Sequence, residues 1–242
     1  MDKCTNNCTD KCTAIVLSAG KGTRMGTDVA KQYLPLGGRP VLYYCLKAFQ
    51  DSFIDEIVIV AAREDHEYIR HEIVDKYGIG KVTRMVEGGA QRYDSVLCGL
   101  RAVGDPDFVF IHDGARPFIN EEILKRAYDT VKKYGTAIVS VPSKDTVKIV
   151  DGDGITLDTP DRNTVRLMQT PQVFAFEPIL KAYEKMDDKM NGAAGEKPAV
   201  TITDDAMVME MFGDLPVHVS EGSYRNIKIT TPEDMLIAEA FI

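Results

Sequence analysis

The chain has 242 residues, 44% of them hydrophobic, and sets 37 acidic against 29 basic side chains for a formal charge of −8. That is enough for one large domain with a real core, and the acidic balance disfavours broad binding to nucleic acid or an anionic membrane, which need net basic surfaces. No apolar run nears the roughly 18–20 residues of a spanning helix, and the polar start MDKCTNNCTDKC has no signal-peptide core, so a cytoplasmic protein with neither partner is expected.

Cys4, Cys8 and Cys12 repeat every four residues and would align on one helix face. The usual zinc spacing C-x₂-C is absent, and no fourth ligand or histidine sits nearby. Residues 1–12 are therefore read as a flexible leader with free thiols, and 13–242 as a single domain. Residues 14–18 predict a strand that stops at a small-residue loop carrying Gly20, Gly22 and Gly26, with Lys21, Arg24 and then Lys31 beside them. Such a turn presents backbone N–H groups to a polyphosphate, and the cations add charge that glycine cannot. The third glycine is one place late for the dinucleotide fingerprint, and no Walker A sequence occurs. On this segment alone, a solvated glycine-rich turn remains the alternative.

Helical periodicity follows at 41–50, a continuous apolar strand at 56–62, a polar helix at 64–77 and a short strand at 84–86. The second glycine turn, GGAQRYDS at 88–95, opens a helix over 91–103. Its glycines permit backbone contacts to a flat base, which Arg92 or Ser95 could hydrogen-bond; an ordinary helix start is the alternative. FVFIHD at 108–113 is a buried strand leading into HDGARP. A carboxylate held at a strand end, Asp113, suits a hard cation such as Mg²⁺; the alternative is a turn cap paired with Arg116. A helix at 120–134 and a strand at 136–141 complete a βαβα rhythm. Cys45 and Cys98 lie in apolar periodic segments and read as packed core thiols. The rhythm means an α/β, Rossmann-like, mainly parallel twisted sheet with helices on both faces, and ligands at the C-terminal strand edges.

Residues 142–175 break the pattern. They read as a protruding β-hairpin arm around Asp151-Gly152-Asp153-Gly154, whose apolar side chains a partner subunit could cover. Residues 176–190 return to helix, and MNGAAGEKP at 190–198 is a loop. Thr203-Asp204-Asp205 is a helix start with Thr or Asp as N-cap, a capping role being preferred over acid–base work. Short strands are expected at 217–219 and 226–230, and Pro232 opens a terminal helix. In NIKITTP, alternation sets Lys228 opposite Ile227 and Ile229; an inward lysine needs an anion, an outward one does not. His66, His71 and His218 read as surface or satisfied residues. Neither a GxSxG elbow nor a thiol-hydrolase signature is present.

SAGKGTRMG, KQY, GGAQRYDSV, HDGARPF, KDTVK, DR with QTPQVF, TDDA and NIKITTPED follow one another in order. This succession resembles the 2-C-methyl-D-erythritol 4-phosphate cytidylyltransferase family over residues 13–242. The related ribitol-5-phosphate cytidylyltransferases are the alternative; they tend to read HDSVRP where this chain has HDGARP, and Gly-Gln-Thr where it has Met168-Gln169-Thr170. The resemblance implies that Ser18, Ala19, Gly20, Lys21, Gly22, Gly89, Ala90, Arg92 and Ser95 hold CTP, with Gly114 near the ribose. It implies that Arg24 and Lys31 face the triphosphate and that Asp113 binds Mg²⁺. Arg116, Thr146, Arg162, Thr170, Thr203 and Lys228 are implied to surround the methylerythritol phosphate, with Arg162 and Lys228 also counted as catalytic. The arm would interlock two subunits, so that Thr146 and Arg162 serve the partner's site. Departures are small: Ser18 and Gly114 stand where alanine is frequent, Ala30 where proline is common, and Ala90 where many relatives carry a polar or acidic residue.

Overall fold

A computed structural model describes residues 10–20, 29–191 and 201–242. In chain order, β1 (Cys12–Ser18) is followed by a 3₁₀ turn (Lys31–Tyr33) and a two-stranded ribbon of β2 (Pro35–Leu36) and β3 (Arg39–Pro40). Then come α1 (Val41–Gln50), β4 (Glu56–Ala61), α2 (His66–Tyr68), which continues as a wider helical turn through Asp75, and β5 (Val82–Glu87). Next are α3 (Arg92–Ala102), β6 (Phe108–Asp113), α4 (Glu121–Tyr134) and β7 (Thr136–Pro142). The hairpin strands β8 (Ile149–Val150) and β9 (Thr156–Asp158) precede β10 (Arg166–Ala175), α5 (Phe176–Asn191), α6 (Asp205–Phe212), β11 (Val219–Glu221) and α7 (Pro232–Glu239).

Seven strands form one sheet in the order β11-β7-β10-β6-β1-β4-β5. β10 runs antiparallel to both neighbours, and every other pairing is parallel. The inner parallel strands β1, β4 and β6, with β7, are covered on both faces, as their unbroken apolar runs require, while the edge strands β5 and β11 are partly exposed. Alternate residues divide between the two layers. Val16, Ile59 and Phe110 pack with Leu46, Phe49 and Ile123 on one face, while Ile15, Val60 and Ile111 pack with Val96, Ile179 and Tyr183 on the other. This is the wound sheet expected from the alternation of elements.

Three expectations shift. Cys12 is buried and opens β1 rather than closing the leader; the placement of Cys4 and Cys8 lies outside the described residues. The arm is shorter than 142–175, because 166–175 is a full strand of the central sheet, sealed between β6 and β7. Residues 226–230 form no strand. They run as a segment pinned by Ile229 N–H donating to Ala115 O at 2.9 Å. The late strand falls at 219–221, two residues after its expected start. Cys45 is fully buried as expected, with burial pushing its thiol up to about 12, whereas Cys98 is only half-buried.

The hairpin does form where the DGDG turn predicts it. Asp151 Oδ1 accepts from the N–H groups of Asp153 (3.0 Å) and Ile155 (2.8 Å), and Gly154 supplies the left-handed corner at φ 83°. Ile149, Val150, Ile155 and Leu157 on it are exposed.

Candidate active site

Strand register decides which loops meet. Leu17 lies beside Asp113, Ser18 beside Ala61, and Ala61 beside Glu87. The loops after β1, β5 and β6 therefore leave the sheet side by side at its C-terminal edge, where such sheets bind ligands. A cavity of about 240 Å³ opens there. Of the expected residues, Ser18, Ala19, Gly20, Lys31, Gly89, Ala90, Arg92, Ser95, Asp113 and Lys228 all line it. Lys21, Gly22 and Arg24 lie outside the described residues.

The first loop is anchored by a residue that periodicity does not single out. Gln32 is buried, and its Nε2 donates to Ser18 O at 2.7 Å and Gly20 O at 3.1 Å. The second loop closes against the first only because position 88 has no side chain: a Cβ there would stand 2.5 Å from Ala19 Cβ. Ser95 braces this loop from below. Its hydroxyl accepts from Gly89 N–H and donates to Gln91 O, each at 3.1 Å. The helix behind starts with a reciprocal cap between Gln91 and Asp94.

Asp113 is the electrostatic centre. Lys228 Nζ is 2.8 Å from its Oδ2, Arg92 Nε is 3.5 Å from Oδ1, and Arg116 Nε is 3.7 Å from Oδ2. Burial alone would raise its pKa; the Arg92, Lys228 and Arg116 charges outweigh that and hold the carboxyl well below the usual range. Lys228 thus points inward and finds its anion. Its segment is docked by Arg116 Nη1 donating to Asn226 O (2.8 Å) and by Asn226 Nδ2 donating to Thr170 O (2.9 Å).

Several expected ligand residues are committed elsewhere. Both terminal nitrogens of Arg92, read as a candidate base contact, go to Asp205 at 2.7 and 2.8 Å. Thr170 is buried, and its hydroxyl accepts from Asp113 N–H at 3.0 Å. Gly114 packs under Leu42 with its N–H on Leu17 O (2.8 Å), and Ala115 lines the cavity in its place. Thr203 is exposed beside Met207 Sδ (3.2 Å), while Asp204 caps α6 as expected. Thr146 and Arg162 are exposed on the arm side and do not line the cavity; Arg162 Nη1 donates to Lys144 O at 3.4 Å. The surface readings of two histidines fit: His71 pairs with Asp75 (3.5 Å), and His218 stacks on Tyr134 with centroids 3.9 Å apart.

His112 is different: it is wholly buried behind Asp113. Arg116 O, 3.1 Å from Nε2, can only accept, so Nε2 carries the proton. Nδ1 then accepts from the Thr170 hydroxyl at 3.1 Å, and that hydroxyl accepts from Asp113 N–H. Burial pushes the imidazole pKa down to about 4. Unfolded, it binds its proton near pH 6.5, so between these values the unfolded chain holds more protons than the folded one. Its contribution to stability is complete above about pH 6.5 and lost as pH falls toward 4, about 3 kcal/mol in all and about 2 kcal/mol of it by pH 5. Urea unfolding at pH 7.5 and 5 tests this. His112→Gln should flatten the difference, and equal slopes for the two proteins would contradict it.

The profile of the IspD family, described as 2-C-methyl-D-erythritol 4-phosphate cytidylyltransferase, matches residues 12–242. The chain is 46% identical over 233 residues to the 2-C-methyl-D-erythritol 4-phosphate cytidylyltransferase of Lachnoclostridium phytofermentans, covering 96% of this chain and 97% of that one. It is 44% identical over 230 residues to the enzyme of the same name from Clostridium novyi, with 95% of each covered. Among solved structures, the 4-diphosphocytidyl-2C-methyl-D-erythritol synthase of Anaerococcus prevotii superposes with a TM-score of 0.82 at 36% identity, covering 96% of both chains. The 2-C-methyl-D-erythritol 4-phosphate cytidylyltransferase of Thermus thermophilus gives 0.71 at 28% identity, covering 94% of this chain and 96% of the other. With a cation-ringed cavity at the expected sheet edge and a family match running almost end to end, the chain belongs to the 2-C-methyl-D-erythritol 4-phosphate cytidylyltransferase family.

Proposed function

We infer that the chain transfers the cytidylyl group of CTP to 2-C-methyl-D-erythritol 4-phosphate and releases diphosphate, a step of isoprenoid precursor synthesis. The observation that carries this reading, beside the family, is the inward Lys228 held on Asp113 within a cavity floored by two glycine loops. A binder of nucleotide alone has no need of that extra cation.

The acceptor's phosphate attacks the α-phosphorus in line. Its second pKa is near 6, so it arrives largely ionised and needs no general base. The surroundings fit that: His112 lies behind the cavity with both nitrogens occupied, and Asp113 in its wall is surrounded by cations. What remains is to bring two anions together and neutralise charge as it moves onto the leaving diphosphate. Lys31 and Arg24 serve the triphosphate. Lys228 and Arg116, with Arg162 of a second subunit, serve the acceptor phosphate. Backbone groups of residues 18–20 and 88–90 hold the nucleotide.

Among the described residues no three His, Cys, Asp or Glu side chains gather as a metal-holding group. A single carboxylate beside a phosphate pocket fits Mg²⁺, which takes one or two carboxylates and completes its shell with phosphate and water. Asp113 would hold it, and the ion would supply charge neutralisation at the phosphates. The exposed apolar side chains of the 149–158 hairpin support a homodimer built through this arm, which would bring Thr146 and Arg162 to the neighbouring site. No described helix is long and apolar enough to cross a membrane, and the acidic charge fits a cytoplasmic enzyme.

Diphosphate release with CTP and either 2-C-methyl-D-erythritol 4-phosphate or ribitol 5-phosphate tests the reading. The first acceptor should be used far faster; preference for the second would reassign the substrate, and release with neither would sink the activity. Lys31→Ala should fold normally and lose about 10²–10³ in turnover, the scale of one transition-state donor. Near wild-type turnover in that variant would remove Lys31 from the mechanism.

A further inference from the structure

Asp205 is a carboxylate that the chemistry above does not use. It is fully buried in the first turn of α6, and the cap there is its neighbour Asp204. A buried carboxylate persists only where it is paired and hydrogen-bonded. Here the pairing is bidentate: Arg92 Nη1 and Nη2 donate to Oδ1 and Oδ2 at 2.7 and 2.8 Å, and the buried Tyr183 hydroxyl donates to Oδ1 at 2.5 Å. A two-point fork fixes the plane of a guanidinium as a single contact cannot. The remaining nitrogen, Nε, then faces Asp113 Oδ1 at 3.5 Å.

The same segment is tied to the far side of Asp113. The N–H groups of Asp205 and Ala206 donate to Gln172 Oε1 at 3.0 and 2.9 Å. Gln172 lies two residues after Thr170 on β10, and the Thr170 hydroxyl receives Asp113 N–H at 3.0 Å. Asp113, Thr170, Gln172, Asp205 and Arg92 therefore close a ring that joins β6, β10, α6 and α3. Through Arg92 and Asp205 the ring links the nucleotide loop at 88–95 to the segment bearing Thr203.

We propose that Asp205 is a positioning residue for the transfer, locking Arg92 so that Asp113 and the nucleotide loop keep one geometry relative to the 201–205 segment. The proposal rests on the reading of the cavity as the CTP site. Freed from the fork, Arg92 regains its rotamers, loses its fixed approach to Asp113, and leaves that carboxylate to its two other cations.

The test is a double-mutant cycle of Asp205→Asn and Arg92→Lys, with diphosphate release, calorimetric CTP binding, thermal melting and nitrogen NMR of the Arg92 guanidinium. Each single variant should lose about 10–100-fold in kcat/KM for CTP, the range for residues that orient a ligating group. Lysine, which keeps the charge but not the fork, should not rescue. The double variant should be no worse than the poorer single. In Asp205→Asn the separate Arg92 terminal-nitrogen signals should merge as rotation is released. Losses that multiply in the double variant, or a lowered melting point with wild-type kcat/KM and unmerged signals, would overturn the proposal. Should Asp205→Asn not fold, Tyr183→Phe removes one donor only. It should cost a few-fold in kcat/KM for CTP, and an unchanged value there would also overturn it. A wild-type chain inert toward CTP would defeat the functional reading instead, and the NMR arm would still decide the lock.

Discussion

Lys228→Ala is expected to lower turnover by about 10²–10³-fold while leaving the fold intact, and to raise the Michaelis constant for the acceptor phosphate. The backbone of 226–230 does not depend on the ammonium. It is held by Ile229 N–H on Ala115 O, by Arg116 on Asn226 O and by Asn226 on Thr170 O. The lysine side chain is 37% exposed, and Asp113 keeps Arg92 and Arg116, so the stability lost should stay near or below about 1 kcal/mol. Catalysis has no such reserve. In the proposed reaction a dianion approaches a polyanion, and a cation meeting it there would act in a partly dry cavity where each charge counts for more than in water. Steady-state kinetics with both substrates varied decide the matter. A normal rate with an unchanged acceptor constant would show that Lys228 serves only as the counter-ion of Asp113.

Asp113→Asn should be more damaging to turnover, by about 10³-fold or more, and should carry an opposite sign in binding. The carboxylate is the shared anion of three cations. Removing its charge leaves the cavity more positive, so CTP should bind tighter than to wild type when no divalent cation is added. If Asp113 holds Mg²⁺ as proposed, a gain in CTP binding on adding Mg²⁺ should be seen in the wild type and not in this variant. Stability should fall by about 1–3 kcal/mol, below the cost of breaking a fully buried pair, since Arg92 keeps Asp205 and Lys228 reaches solvent. Calorimetry of CTP binding with and without Mg²⁺ measures both signs. Weaker metal-free binding in the variant would mean that Asp113 acts by shaping the loop rather than by its charge. Because its cations hold the folded carboxyl well below the ordinary range, the stability it contributes is present at and above about pH 4 and is lost only in stronger acid. Titration of Asp113 should therefore leave the pH–rate profile untouched near neutrality.

How much of the site could be read in advance follows from the kind of signal each residue leaves. Gly20, Gly89, Arg92 and Asp113 stand at the ends of apolar runs or in glycine turns, and strand periodicity carries those ends to one edge of a parallel sheet; Lys31 follows the first turn, and Lys228 sits between two isoleucines, where alternation leaves its direction open. The residues that hold them fall inside the ordered motifs, but neither periodicity nor turn chemistry assigns them a partner. Gln32 sits in a 3₁₀ turn with no apolar pattern, Gln172 in a strand among apolar neighbours, and His112 inside a continuous buried run. Asp205 looks like the second half of a cap. Each is defined by a partner far along the chain: Arg92 and Asp205 are 113 residues apart, and Asp113 and Thr170 are 57 apart. The boundaries that slipped have the same origin. Residues 166–175 alternate too little to announce a central strand, and only the gap between β6 and β7 makes one of them. Residues 226–230 look like a strand by alternation, but Ile229 N–H bonds to Ala115 O, beyond the end of β6, and no ladder with the sheet forms among the described residues.

Composition and the alternation of elements were sufficient by themselves to determine the wound α/β sheet and the hairpin, and the succession of motifs pointed to the family. The sheet and the hairpin are properties of period and local turn chemistry, which the chain encodes residue by residue. The tertiary structure alone decided that Lys228 turns inward to Asp113, that Arg92 in the cavity wall and the buried Thr170 are committed to other protein groups, and that Asp205 closes a ring with them. Those outcomes depend on which buried charges and hydrogen-bond donors find one another once the sheet has assembled, and an unpaired group in that interior costs too much to leave the choice open.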